Sequence, residues 1–251
     1  MKLPIYIISD NHFLLENTKK EQKRRDELFE VFKNIKKTGG SLIIGGDFFD
    51  FWLESINGPP FYYDNILNEL EELNNNNIEI HYVLGNHDYW DNGYFKKKFR
   101  GNIHKKDFSF SIKNKKILIT HGDGLLKHDY LYRIMKKILR NKLIMFLLHL
   151  IPRQISCKIA RKISKTKNKF GKEPILDKKY KNELKQFAIM KMQNENFDAV
   201  LMGHYHQIGI ENINDKHFIH LGDWINNYTV TQYDNNCQWK QKNITPRKDN
   251  K

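Results

Sequence analysis

Residues 41–50 read SLIIGGDFFD, and residues 78–88 read IEIHYVLGNHD. Each is a short apolar run that stops at glycine followed by Asp or Asn. A run of that length bounded by glycine predicts a buried strand, and the glycine lets the chain turn sharply where the strand ends. The same order recurs at 5–10 (IYIISD), 116–123 (KILITHGD) and 199–206 (AVLMGHYH). Helices are predicted between the early strands. Residues 19–37 carry Leu28, Val31, Phe32 and Ile35 at helical spacing, and residues 61–73 form a second helix. Strand–helix alternation predicts an α/β fold. Ligands of open α/β sheets gather beyond the carboxyl ends of the strands, so five polar clusters far apart in sequence are expected to meet at one site. Further on, a hairpin (108–112 with 116–120), a helix (177–194) and strands at 208–213, 217–221 and 228–233 make the second half β-rich.

The clusters are Asp10-Asn11-His12, Gly46-Asp47-Phe48-Phe49-Asp50, Gly85-Asn86-His87-Asp88, His121-Gly122-Asp123 and Gly203-His204-Tyr205-His206. Carboxylate, amide oxygen and imidazole together suit divalent Mn, Fe, Co or Zn. Five of the eleven histidines fall inside these motifs, which is too many for a set of unrelated structural histidines. His81, His104, His149 and His217 are left without a role. Asp88 is either part of the site or a turn residue, and Asp123 is a helix start or a supporting group.

The chain has 251 residues and a net charge of +14. Residues 125–172 hold 14 Lys or Arg against one acid, Asp129, and so carry almost all of that excess. A segment of this kind expects an anionic partner. Its residues Leu131, Ile134, Met135, Ile138 and Leu139 form an amphipathic stripe, with Arg133, Lys136, Lys137 and Arg140 on the other faces. Pro152 is placed to start a second helix with Ile155, Ile159 and Ile163 on one face. Residues 143–151 add almost unbroken apolar surface. A basic element with an apolar face beside a polar site suggests an interfacial enzyme. No run of about 18 apolar residues exists, so no membrane span is expected. The first residues make too short an apolar run for a secretion leader. Cys157 and Cys237 form no Cys-x-x-Cys pair, and a cytoplasmic location is expected.

The motifs D-x-H, G-D-x-x-D, G-N-H-D, H-G-D and G-H-x-H, in this order, resemble the signature of the calcineurin-like metallophosphoesterases. The resemblance runs from Asp10 to His206. It implies a four-layer α/β/β/α sandwich and two divalent metal ions, with manganese expected and Fe or Zn also suited to the donors. Asp10, His12 and His206 would hold one ion, Asp47 would bridge both, and Asn86, His121 and His204 would hold the second. His87 would serve the phosphate or the leaving oxygen, oriented by Asp50. Within that superfamily the chain is similar to the UDP-2,3-diacylglucosamine diphosphatase family of lipid A biosynthesis, which carries a helical cap after H-G-D. Asp129 and Tyr132 match that cap, and Arg161, Ser164 and Asn168 reproduce its R-x-x-S-x-x-x-N run. The resemblance implies substrate contacts from these five and from Asn86, His87, His204 and Lys172. It further implies attack of water on the α-phosphate, release of UMP, and a peripheral place on the cytoplasmic face of the inner membrane. A core of residues 1–124 and 173–245 with a cap of 125–172 is expected. One departure stands out: the best-known branch has Arg where this chain has His87. Two rival readings share the charge or the motifs. One is a phosphoesterase for a soluble nucleotide or phosphoprotein. The other is a nucleic-acid-binding nuclease, for which the segment carries few aromatic platforms; no stable nucleic-acid partner is expected.

Overall fold

The structure is a computed structural model that describes residues 1–164, 166–172 and 176–244, with Ile163 described by its backbone only. In chain order the first elements are β1 (Ile5–Ile8), α1 (Lys19–Thr38), β2 (Ser41–Ile44), α2 (Asp64–Asn75), β3 (Glu79–Val83), α3 (Tyr94–Phe99) and β4 (Asn102–His104). The hairpin β5 (Phe108–Ile112) and β6 (Lys115–Thr120) follows. Next come three helices, α4 (Tyr130–Leu139), α5 (Lys142–His149) and α6 (Arg153–Ile163), and a tight 3-10 turn, Thr166–Lys169. The chain continues with α7 (Lys178–Asn194), β7 (Ala199–Met202), β8 (Ile208–Ile213), β9 (Lys216–Leu221), β10 (Thr229–Tyr233) and β11 (Trp239–Asn243).

The strands make two sheets, ordered β11-β10-β1-β2-β3-β4 and β5-β6-β7-β9-β8. β1, β2 and β3 are parallel, with Ile7 beside Ile43 and Ile43 beside His81. β6, β7 and β9 are parallel in the second sheet. Side chains alternate between the faces of a strand, and here both faces are covered, which is why these strands read as continuous apolar runs. Ile5, Ile7, Ile43 and Val83 meet Ile117, Ile119, Leu201 and Ile219 between the sheets. The outer face with Tyr6, Ile8, Leu42 and Tyr82 packs on Leu28, Phe32, Leu70 and Phe95 of the first three helices. Leu118, Val200 and Phe218 pack on Leu184, Ala188 and Met192 of α7. The result is the α/β/β/α order that the motifs imply.

Between β6 and α7 the sequence leads one to expect two helices, and the structure has three. Asn141 accepts the backbone N–H of Leu143 at 2.9 Å and so starts a new helix inside the apolar run. Pro152 precedes α6, where a backbone donor is not needed. The α4 stripe is not buried by the neighbouring helix. Leu131 is 78% exposed and Leu143 is 64% exposed, and neither α4 nor α5 buries a single residue. These helices are held to the core by polar contacts instead. Ser55 Oγ donates to Ile151 O at 2.7 Å, Ile56 N donates to His149 O at 2.8 Å, and Trp90 Nε1 donates to Leu139 O at 3.2 Å. The side chain of Ile163 and the limits expected for the second core segment, residues 173 and 245, lie outside the described residues. Among the described residues no single helix is long and apolar enough to cross a membrane.

Candidate metal centre

The five motifs leave the ends of β1, β2, β3, β6 and β7, and backbone bonds tie them to one another. Asp10 N donates to Gly46 O and His12 N to Asp47 O, both at 2.9 Å. Trp224 N donates to Asp10 O at 3.2 Å and Gly203 N to Thr120 O at 3.3 Å. Side chains add to this. His204 N donates to Asp10 Oδ2 at 2.9 Å, and His87 N donates to Asp47 Oδ1 at 2.8 Å. A Cβ on Gly85 would run into the Asp47 carboxylate, and one on Gly46 (φ +100°) would run into the His121 ring. Both positions therefore need glycine.

Among the described residues three overlapping groups of donor atoms result, each within 4.8 Å: Asp10, His12 and His206; His12, Asp47 and His87; Asp47, His121 and His204. Asp47 Oδ2 lies 3.3 Å from His121 Nε2 and 3.7 Å from His12 Nε2. Asn86 Oδ1 is 3.2 Å from His121 Nε2. All seven residues expected to hold metal are thus brought together. His12 is 1% exposed, and neither of its ring nitrogens has a hydrogen-bond partner. An orphaned buried imidazole is costly unless something else satisfies it. Its Nε2 stands 3.9 Å from Asp10 Oδ1, too far for a hydrogen bond but suited to a cation with bonds of roughly 2.0–2.2 Å to each donor. The donor set therefore fits two divalent ions.

Electrostatics agree with that fit. Burial lowers the pKa of His12 to about 3 and that of His204 to about 3, so both present lone pairs at neutral pH. Burial also opposes charge on His121, but the Asp47 carboxylate outweighs it and raises the pKa to about 10. For Asp47, burial is outweighed by His121 and then His87, which hold the carboxyl well below its ordinary range. The Asp47 carboxylate and the His121 ring thus attract each other across 3.3 Å, and a metal bound there would compete with a proton. His121 Nδ1 donates to Gly45 O at 3.0 Å, which leaves Nε2 facing the cluster.

Several supporting groups surround the donor cluster. The Asp223 carboxylate stands 3.7 Å from His206 Nδ1 and accepts backbone N–H groups of Ile225 and Asn226. Its pKa falls to about 2, because those bonds and His206 outweigh burial. Asp88 is a buried clasp rather than a plain turn residue: it accepts Gly85 N at 2.7 Å, Phe48 N at 2.9 Å and the Tyr82 hydroxyl. Arg24, 1% exposed, pairs with Glu21 at 2.6 Å and donates to the carbonyls of Asn11 and Trp224. Replacing Arg24 with Met should destabilise the fold by about 3–5 kcal/mol, the usual cost of leaving one partner of a buried ion pair behind. A denaturant midpoint unchanged by the substitution would contradict this.

His87 Nδ1 donates to the backbone carbonyl of Asp50 at 2.5 Å, and its Nε2 stands 4.0 Å from Asp47 Oδ2. Asp50 therefore orients His87 through its carbonyl and not its carboxylate. The carboxylate accepts the Thr166 hydroxyl and lies 3.8 Å from His12 Nδ1. Tyr132 donates to Asp123 Oδ2 at 2.8 Å, and its ring lies 6.5 Å from that of His204. Lys136 and Arg140 also reach Asp123, at 2.8 and 3.1 Å. Arg161 and Ser164 line a cavity of about 440 Å³ that reaches Asp50. Asp129 precedes α4 and pairs with His128 at 3.5 Å. Asn168 and Lys172 are exposed. The lysine that reaches the cluster is Lys169, whose Nζ is 3.5 Å from His206 Nε2; Lys172 is fastened by its carbonyl to Asn226 Nδ2.

A profile of the calcineurin-like phosphoesterase domain matches residues 3–208. The UDP-2,3-diacylglucosamine hydrolase of Proteus mirabilis is 30% identical over 179 residues, 69% of this chain and 71% of the relative. That of Porphyromonas gingivalis is 24% identical over 247 residues, 92% and 94% of the two chains. That of Haemophilus influenzae is 27% identical, covering 89% and 91%. Among solved structures, a novel archaeal phosphodiesterase superposes with a TM-score of 0.50 at 17% identity, over 96% of this chain and all of that one.

Proposed function

The chain belongs to the calcineurin-like phosphoesterase family, and from that premise we propose that it hydrolyses the pyrophosphate of UDP-2,3-diacylglucosamine, giving UMP and 2,3-diacylglucosamine 1-phosphate. Membership makes it a metal-dependent phosphoester hydrolase. The substrate is inferred chiefly from one observation: the donor cluster stands beside two helices, α4 and α5, whose apolar side chains are left uncovered. The names of the relatives point the same way.

In this reading residues 125–172 act as a cap on a core of 1–124 and 173–245. Asp10, His12 and His206 would hold one ion, Asn86, His121 and His204 would hold the other, and Asp47 would serve both; manganese is the ion proposed. Two such ions, when bound, polarise the phosphoryl oxygens and acidify water. The α-phosphorus gains a bond to the water oxygen and loses its bond to the bridging oxygen, which leaves with the sugar phosphate. His87 has its Nδ1–H committed to the Asp50 carbonyl, so Nε2 is the atom that reaches a phosphoryl or leaving oxygen. The Asp50 carboxylate keeps Thr166, and with it the turn after α6, against the centre. Asn86 and His204 meet the same phosphate. Asp129, Tyr132, Arg161, Ser164, Asn168 and Lys172 are assigned to the sugar and its phosphate, with Lys169 a nearer source of charge than Lys172.

The exposed faces of α4 and α5 take the acyl chains and rest on the cytoplasmic face of the inner membrane. Basic residues beside an anionic leaflet contribute about 1 kcal/mol each. Incubating the protein with Mn²⁺ and UDP-2,3-diacylglucosamine should release UMP. Cleavage of bis-p-nitrophenyl phosphate without any UMP from the lipid would leave a phosphoesterase with a different substrate. Replacing Leu143 and Phe146 by Ser should cut kcat/KM for the diacylated substrate at least about tenfold, since each buried side chain of this size is worth about 1.5–3 kcal/mol. Binding to anionic vesicles should weaken in parallel, while the small diester is turned over as before; equal losses on both substrates would count against the lipid face.

A further inference from the structure

A second cavity, of about 460 Å³, opens on the His121 flank of the centre, away from the one beside Asp50. Its wall includes Lys105, Lys106, Lys136 and Arg140, with Asp107 and Asp123. Four cations against two carboxylates leave it positive. Lys136 and Arg140 are fixed in place. Lys136 Nζ donates to Asp123 O at 2.9 Å as well as pairing with the carboxylate, and Arg140 stacks on Tyr89 at 3.9 Å. Arg140 Nη2 also donates to Gly85 O at 3.3 Å, one residue before Asn86. Lys105 and Lys106 are exposed at the rim.

We propose that this cavity is the subsite for the nucleoside monophosphate half of the substrate, with the cavity beside Asp50 receiving the sugar. The inference rests on the substrate reading above and adds a direction to it. Its volume falls in the range of small-molecule pockets, roughly 300–1,000 Å³. Its apolar lining is confined to Val83 and Leu84, so an acyl chain finds no continuous apolar wall there, in contrast to α4 and α5. A nucleoside monophosphate offers what the lining asks for: a phosphate carrying about −1.5 to −2 charge, carbonyl acceptors for lysine, and hydroxyl and ring N–H donors for Asp107. The cavity reaches His121, whose Nε2 faces Asp47, so a ligand seated there has its phosphate end beside residues that would hold the metals. Cations lining a cleft raise the local concentration of an anion. The four here do so on one side only, which sets which end of the substrate enters which cavity.

The test uses UMP as an inhibitor of bis-p-nitrophenyl phosphate turnover by the manganese-loaded full chain. In a Lys105→Glu/Lys106→Glu variant the UMP inhibition constant should rise at least about tenfold, as expected when charge complementarity is reversed. In Lys105→Gln/Lys106→Gln it should rise about threefold. Uridine, lacking the phosphate, should inhibit weakly and alike in all three proteins, and each UMP constant is read against that protein's own diester KM. A UMP constant that stays the same in both variants overturns the subsite. Failure of the wild-type chain to release UMP from UDP-2,3-diacylglucosamine would instead overturn the substrate, and is scored in a separate reaction.

Discussion

Replacing Asp47 by Ala is expected to abolish hydrolysis of every phosphodiester substrate and to lower bound metal from two ions per chain to one or none. Asp47 is the carboxylate shared by two of the donor groups found among the described residues, and its Oδ2 lies 3.3, 3.7 and 4.0 Å from the facing nitrogens of His121, His12 and His87. Without it the imidazoles of His12 and His121 lose the negative charge between them. Turnover should fall at least about 10³-fold, the upper scale for removing one preorganised contact to developing charge. Asp47→Asn is the companion variant, because it keeps the volume against Gly85 while removing the charge. Metal content by mass spectrometry and turnover of bis-p-nitrophenyl phosphate are the measurements. Two ions retained with near-normal turnover would sink the assignment of the bridge.

His87→Ala should behave differently: both ions stay and kcat drops about 10²–10⁴-fold, the range of a general acid or base. The structure supports the separation. The His87 ring is held from outside the cluster, through Nδ1 to the Asp50 carbonyl. Its backbone N–H to Asp47 Oδ1 survives the substitution, so Asp47 keeps its orientation. KM for the diester should change less than kcat. Loss of metal from this variant would mean that His87 is a ligand and that its role is misplaced.

The sequence showed the centre more clearly than its supports. Each ligand follows an apolar run directly, so strand end and chemistry are read from the same few residues. Edge elements were not visible. β11, Trp239–Asn243, is mostly polar and half exposed, and β4 has three residues; neither carries the alternation that marks a strand with one buried face. The six residues of α3 are too few to show a helical period. Arg24 and Thr166 act on partners 200 and 116 residues away, Trp224 and Asp50, and no local pattern encodes such a meeting. The run at 143–151 was legible as apolar surface but not as a separate helix, since an apolar run of that length has no distinctive period. That His87 takes the carbonyl of Asp50 and leaves the carboxylate to Thr166 depends on a rotamer, which a motif does not specify.

Asp10, His12, Asp47, His204 and His206 all have positive φ, between +45° and +65°. L-residues enter this region at a cost, roughly 1–3 kcal/mol each where the surroundings enforce it, although Asp and His tolerate it better than most. Their side chains therefore sit where glycine or asparagine would be more comfortable. A descendant that abandoned hydrolysis would gain by exchanging them, and drift to Gly or Asn at these five positions would mark a retired enzyme more surely than the loss of any one ligand.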